Sequence, residues 1–302
     1  MAPPLFLLAP PRSYTSVINA MIGQHPQTFG LPELNLFNVE HLKDLWRRKP
    51  TDNVTQPKRR NGLLRAVAEI YGGEQTAATV LMANHWAAAR QERSSGEVYR
   101  ELADKLDPLI IVEKSPLYSL SFRYMRRILE TFPDARFIHL VRHPVAQCKS
   151  VMKLNDGIFA LWVNALEFQE DRAIIEPQIA WYNINITIMN FLDMVPEKNK
   201  MRLQGEKLME QPVRYLRRIC QWLEIRDDDK AIDEMMHPER SPFACFGPIN
   251  ALYGNDPNFL RGPSFRQHKP KPPPLEGPLP WRDDGGQLYK EVAELARSFG
   301  YS

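Results

Sequence analysis

A short apolar run that stops at two prolines and passes straight into helical spacing limits this chain's fold most. Residues Pro4 to Ala9 are continuously apolar and end at Pro10-Pro11, which reads as a buried strand closed by a tight turn. Val17, Ile18, Met21 and Ile22 then share one helical face, with Thr15 or Ser13 as the expected N-cap. The pattern recurs. Leu109 to Val112 leads through Glu113-Lys114-Ser115-Pro116 into a helix with Phe122, Met125, Ile128 and Leu129 on one side. A third run, Arg136 to Val141, breaks at Arg142-His143-Pro144, where Pro144 suits the first position of another helix. Consecutive strand–helix–strand units of this size predict an α/β fold with a central parallel sheet and right-handed crossovers.

The remaining segments fit around that sheet. Residues 38–106 read as almost wholly helical, with a break near Pro50 to Pro57, and residues 158–195 also read as helices. Lys200 to Gln204 is expected to add a strand and 211–223 a helix. Seven prolines between Arg261 and Trp281 exclude regular helix or sheet there. Phe265 and Trp281 are its expected anchors, which makes it an ordered loop. A last amphipathic helix turns Leu288, Val292, Leu295, Ala296 and Phe299 inward. With no internal repeat or mid-chain change of composition, residues 1–302 read as one domain. Its helical insertions are expected at about 38–106 and 158–195, and its Pro-rich loop at 261–281.

Composition narrows the partners. In 302 residues, 43% hydrophobic and 25% charged residues exclude a disordered or collagen-like chain. Lys and Arg total 39 against 36 Asp and Glu, a balance too mild for a nucleic-acid partner. Any hold on an anion must therefore come from arginines placed locally. Cys148, Cys220 and Cys245 form no CxxC pair, so neither a disulfide framework nor a zinc ribbon is expected. A reducing, cytoplasmic setting fits best. No apolar run approaches the roughly 18 residues of a membrane span, so no membrane insertion is expected.

Two loops carry candidate chemistry. Pro10-Pro11-Arg12-Ser13-Tyr14-Thr15-Ser16 joins a strand to a helix start, whose unpaired N–H groups and partial positive charge suit phosphate or sulfate. Arg12 adds forked donors, and Ser13, Thr15 and Ser16 add hydroxyls. The same residues read equally as a capped helix beside a surface arginine. Arg142 ends another strand, with Ser150 eight residues further along the next helix. Loops at the carboxyl ends of parallel strands open on one edge, where ligands bind.

Taken together, Leu8-Ala9-Pro10-Pro11-Arg12-Ser13 through His25-Pro26 resembles the 5′-phosphosulfate loop of sulfotransferases. The block Phe132 to Pro144, continuing to Ser150, resembles that family's 3′-phosphate strand and helix, and Glu113-Lys114-Ser115-Pro116 its preceding turn. Gly254-Asn255-Asp256-Pro257-Asn258-Phe259-Leu260 is similar to a segment in sulfotransferase domains of bacterial olefin and polyketide synthases.

The resemblance implies a P-loop-like sheet and the donor PAPS (3′-phosphoadenosine 5′-phosphosulfate), released as PAP, without a metal. It would have Arg12, Ser13, Tyr14, Thr15 and Ser16 hold the phosphosulfate, and Arg142 with Ser150 the 3′-phosphate. In tyrosylprotein-type relatives a glutamate shortly after the first helix is the base. Glu33 falls at that position, and Lys114 matches a lysine set against the bridging oxygen. The catalytic set implied is Glu33, Lys114 and Arg12, acting on a small-molecule or carrier-tethered hydroxyl acceptor. His41 or His268 is the next candidate for the base. Trp46, Trp86, Trp162, Trp181 and Tyr182 are equally good pocket or core residues.

Tyr14 departs from the family, which usually has Gly there, and residues 1–22 contain no glycine. Two other readings share the fold. A nucleotide or metabolite kinase would need a Walker lysine that the loop lacks. A binding protein that has lost its chemistry would bind donor without turnover.

Overall fold

The computed structural model describes residues 2–47, 56–153, 163, 165–168, 172–269, 271 and 273–302. The expected sheet is present. Five parallel strands, β1 (Leu5–Leu8), β2 (Thr28–Gly30), β3 (Ile110–Glu113), β4 (Arg136–Val141) and β7 (Lys200–Gln204), lie in the order β2-β3-β1-β4-β7. Leu5 stands opposite both Val112 and Arg136, so β1 is central. That position explains its unbroken apolar run, because a parallel strand in mid-sheet is buried on both faces. Phe6 and Leu8 point into one core, with Phe37, Tyr99, Tyr118 and Phe137, whereas Leu5 and Leu7 point into another, with Ile18, Ile22 and Leu140.

Twelve helices can be placed among the described residues. α1 (Thr15–Gly23) follows β1; α2 (Gln56–Gly72), α3 (Ala77–Ala88) and α4 (Ser95–Leu106) fill the segment before β3. α5 (Phe122–Thr131) joins β3 to β4, and α6 (Pro144–Met152) and α7 (Pro177–Leu192) lie between β4 and β7. After β7 come α8 (Gly205–Glu210), α9 (Pro212–Leu223), α10 (Asp229–Met235), α11 (Pro257–Arg261) and α12 (Lys290–Ser298). None of the described helices is long and apolar enough to cross a membrane.

One segment departs from expectation. Where residues 158–195 read as helices, Leu166–Phe168 (β5) and Ala173–Ile175 (β6) pair as an antiparallel hairpin before α7. Residues 158–162, including Trp162, lie outside the described residues. Trp181 is fully buried, while Trp46 and Trp86 pack on the core beside β1, so these indoles fill the interior. In the Pro-rich segment Phe265 packs against the α1 side of the sheet, and the Trp281 indole donates to Glu176 at 3.0 Å.

Candidate active site

Every strand of the five-stranded sheet ends at one edge, and each ending delivers a polar residue. β1 is followed by Arg12 and Ser13, β2 by Glu33, β3 by Lys114 and Ser115, β4 by Arg142, and β7 by Gly205 and Glu206. The turn after β1 is held from below. The Ala9 N–H donates to Ser119 Oγ at 3.1 Å and Gln147 Nε2 to the Pro11 carbonyl at 2.6 Å. Arg12 and Tyr14 both have left-handed backbones, with φ of 67° and 64°. A side chain there costs roughly 1–2 kcal/mol, which explains why glycine is usual at the second position. Strain concentrated in a ligand-facing loop is a common mark of a functional site.

The N-cap differs from the sequence expectation. Tyr14 occupies it, no side chain caps α1, and Ser13 Oγ is buried without a hydrogen-bond partner. The first N–H groups of α1 therefore have no side-chain cap. The Tyr14 ring lies 4.4 Å beneath the Arg142 guanidinium and against Gly205. A Cβ at Gly205 would stand 2.6 Å from that ring, so the glycine makes room for the tyrosine.

Arg12 and Arg142 meet at the mouth of this loop. Arg142 Nη1 donates to the Arg12 carbonyl, and Arg12 Nε donates to Ser150 Oγ at 3.2 Å. Arg12 Nη1 forms an ion pair with Asp256, just before α11. Arg142 Nε is buried with no partner, while the Arg142 carbonyl accepts from the Trp181 indole at 3.0 Å. A cavity of about 650 Å³ is lined by Arg12 through Val17, Arg142, Ser150, Asp256 and His268, with Met209, Phe259 and Phe265 supplying apolar wall. A second, of about 620 Å³, shares Arg142 and Ser150 and adds Lys149, Lys153 and Lys271 opposite a proline wall. Seven candidate binding residues thus converge on one cleft.

Glu33 and Lys114 form a separate pair and line neither cavity. Lys114 Nζ contacts Glu33 Oε1 in an ion pair whose lysine is 2% exposed and whose glutamate is 22% exposed. The Glu33 backbone is clamped on two sides. Its N–H donates to the Gly254 carbonyl at 2.8 Å, and α2 presses so close that a Cβ on Gly62 would stand 2.0 Å from the Glu33 oxygen. Beneath lies Glu113, fully buried, accepting from Ser115 Oγ at 2.6 Å, the Leu34 N–H at 3.1 Å and Tyr118 OH at 3.1 Å. Ser115 Oγ also accepts from the Asn35 N–H at 3.0 Å. These bonds fasten the turn carrying Glu33 to the strand end carrying Lys114.

Burial pushes the Glu113 carboxyl up to about 8, against the pull of its hydrogen bonds from Ser115, Leu34 and Tyr118. A carboxyl raised on folding keeps its proton in the native state after the unfolded chain has lost it. Its stabilising contribution is full below about pH 4.3, the unfolded value. It declines as pH rises towards about 8 and is level above that. The Tm of the wild type is therefore expected to fall through this window, and that of Glu113→Gln to fall less. Parallel profiles for the two proteins would remove Glu113 as the source.

The histidines have other surroundings. Burial lowers His139 to about 3 and His143 to about 4, leaving both neutral; His143 packs edge-on against Tyr301. His41 sits in a bridge with Ser94, whereas His268 lines the cavity. Among the described residues no three His, Cys, Asp or Glu side chains gather as a metal-binding group. Sequence reasoning flagged Gly254 to Leu260 only as a likeness and missed Asp256 as a partner of Arg12. Asp before Pro is a helix-start signal, and Asp256 does cap α11 through the Asn258 N–H at 2.8 Å. Nothing local points from there to Arg12.

Comparison with known proteins bears on the family and the fold. A search of curated proteins gives no match. Two solved structures resemble the fold over the whole chain. A sulfotransferase domain from the curacin biosynthetic pathway has a TM-score of 0.76 and 21% identity, covering 100% of this chain and 99% of its own. A sulfotransferase domain from the Synechococcus PCC 7002 olefin synthase has a TM-score of 0.71 and 24% identity, covering 100% and 97%. The family model described as the sulfotransferase family matches residues 3–229, and with three-quarters of its length so matched the chain belongs to the sulfotransferase family.

Proposed function

We propose that this chain, as one domain over residues 1–302, transfers a sulfuryl group from PAPS to a hydroxyl acceptor. The observation that carries the donor assignment is the convergence of Arg12 and Arg142 on one cleft, beside a helix start whose N–H groups no side chain caps. The donor set also fits an anion chemically. Ser13 Oγ and Arg142 Nε are both buried without protein partners, and such atoms cost roughly 1–3 kcal/mol until something bonds them. On this reading Arg12, Ser13, Thr15 and Ser16 bind the phosphosulfate, with Tyr14 lining the cleft. Arg142 and Ser150 bind the 3′-phosphate, at the wall shared with the lysine-bearing second cavity.

The chemistry follows from those positions. Glu33 accepts the proton of the acceptor hydroxyl as its oxygen bonds to sulfur and the bond from sulfur to the 5′-phosphate oxygen breaks. Lys114 and Arg12 stabilise the charge that collects on the departing phosphate. Sulfuryl transfer resembles phosphoryl transfer in spreading charge over peripheral oxygens, so positioning and electrostatics supply most of the acceleration. The acceptor expected from the family resemblance is a small molecule or a carrier-tethered hydroxyl compound.

Ligand-induced stabilisation tests the donor. PAP at about 100 times its Kd is expected to add about 2.7 kcal/mol to unfolding, with AMP and ATP giving little. Equal shifts of Tm with ATP and PAP would remove the sulfotransferase donor and favour a kinase.

A further inference from the structure

Among the described residues Asp256 is the single carboxylate lining a cavity that also carries Arg12, Arg142 and Arg266. Its two oxygens do different work: Oδ2 pairs with Arg12 Nη1, while Oδ1 accepts the Asn258 N–H at 2.8 Å. The segment around it is fastened independently of Arg12. The Asp256 N–H donates to Asn255 Oδ1 at 3.1 Å, and the Gly254 carbonyl accepts from the Glu33 N–H at 2.8 Å. Asp256 is therefore held in place, capping α11, by contacts that do not involve Arg12. Arg12 has a second tether in Ser150, so its guanidinium remains beside the loop.

We propose that Asp256 is a positioning residue: it holds Arg12 as its counter-ion until an anionic donor displaces it, and reclaims Arg12 as PAP departs. The proposal rests on the donor reading given above. Two effects lower the protein's affinity for its own product. Molecules in which Arg12 is paired with Asp256 must first give up that pair, and apparent affinity is the intrinsic affinity multiplied by the fraction that is unpaired. Once displaced, the carboxylate stands as a fixed negative charge beside the bound anion and repels it. Both partners are partly exposed, at 21% and 25%, so water limits the pair to a modest strength. The expected combined effect is about 3- to 10-fold in PAP affinity.

Asp256→Asn keeps the shape and the capping oxygen while removing the charge. Asp256→Ser is a second neutral variant that also retains a cap. Titration calorimetry with PAP and displacement kinetics at 50 and 300 mM NaCl compare both with the wild type. The expected result is PAP bound about 3- to 10-fold more tightly, slower PAP release and a lower KM for PAPS in each variant. The gain should shrink at the higher salt, as screening weakens charge–charge effects. A merely structural role would instead lower Tm and weaken PAP binding. Unchanged or weaker PAP binding in both variants, with normal binding by the wild type, overturns the role of Asp256 and leaves the donor reading standing. Failure of all three proteins to bind PAP overturns both.

Discussion

Arg12→Ala is expected to lower kcat by roughly 10²–10³-fold, the usual effect of deleting one donor aimed at transition-state charge. Arg12 lies two residues before the N-cap of α1, with Nη1 on Asp256 and Nε on Ser150. Its removal also leaves Asp256 unpaired in the cleft, so PAPS affinity drops with the rate. The double variant Arg12→Ala/Asp256→Asn should regain part of that affinity and none of the kcat. Arg142→Ala is the contrast. On the proposed reading its charge serves the end of the donor remote from the reacting sulfur, so KM should rise while kcat changes little. Steady-state kinetics on the set distinguishes these roles. If Arg12→Ala loses only affinity, Arg12 positions the donor and does not stabilise the departing phosphate.

Glu33→Gln is expected to reduce kcat at least about 100-fold, the lower end of general-base effects. Chemistry is not its only consequence. The sequence reading assigns Glu33 and Lys114 separate roles; in the structure Glu33 is the counter-charge of that lysine, which is only 2% exposed. Removing one partner of a buried pair leaves the other uncompensated. Because Glu33 is 22% exposed and the amide oxygen of Gln can still accept from Lys114, the stability cost should be about 1–3 kcal/mol. Tm and PAP affinity measured beside kcat separate the two effects. A variant that keeps most of its turnover would exclude Glu33 as the base and turn attention to His268, which lines the cavity.

The sheet was legible because its strands are buried on both faces and so read as unbroken apolar runs. The loops after β1 and β4 were legible because helix starts and arginines have local signatures. The hairpin at 166–175 was not, since two three-residue strands are too short to show an alternation. Nor was the cap of α1. A left-handed Tyr14 depends on Arg142 above its ring and Gly205 beside it, contacts that local propensity does not contain. The pairs that define the site's electrostatics join residues far apart in sequence, Arg12 with Asp256 and Glu33 with Lys114. Such pairings are set by tertiary packing alone.

The central place of β1 has a consequence for synthesis. Its two neighbours, paired with Leu5 at Val112 and Arg136, leave the ribosome more than a hundred residues later. At about 5–20 residues per second that interval is roughly 5 to 25 s. Through it Leu5–Leu8, fully enclosed in the finished protein, has none of its sheet partners. Closing the β1–β3 and β1–β4 ladders across such separations is entropically demanding and slow. The nascent chain therefore depends on α1 folding back over this segment, or on a chaperone, to keep its most apolar strand from pairing with another chain.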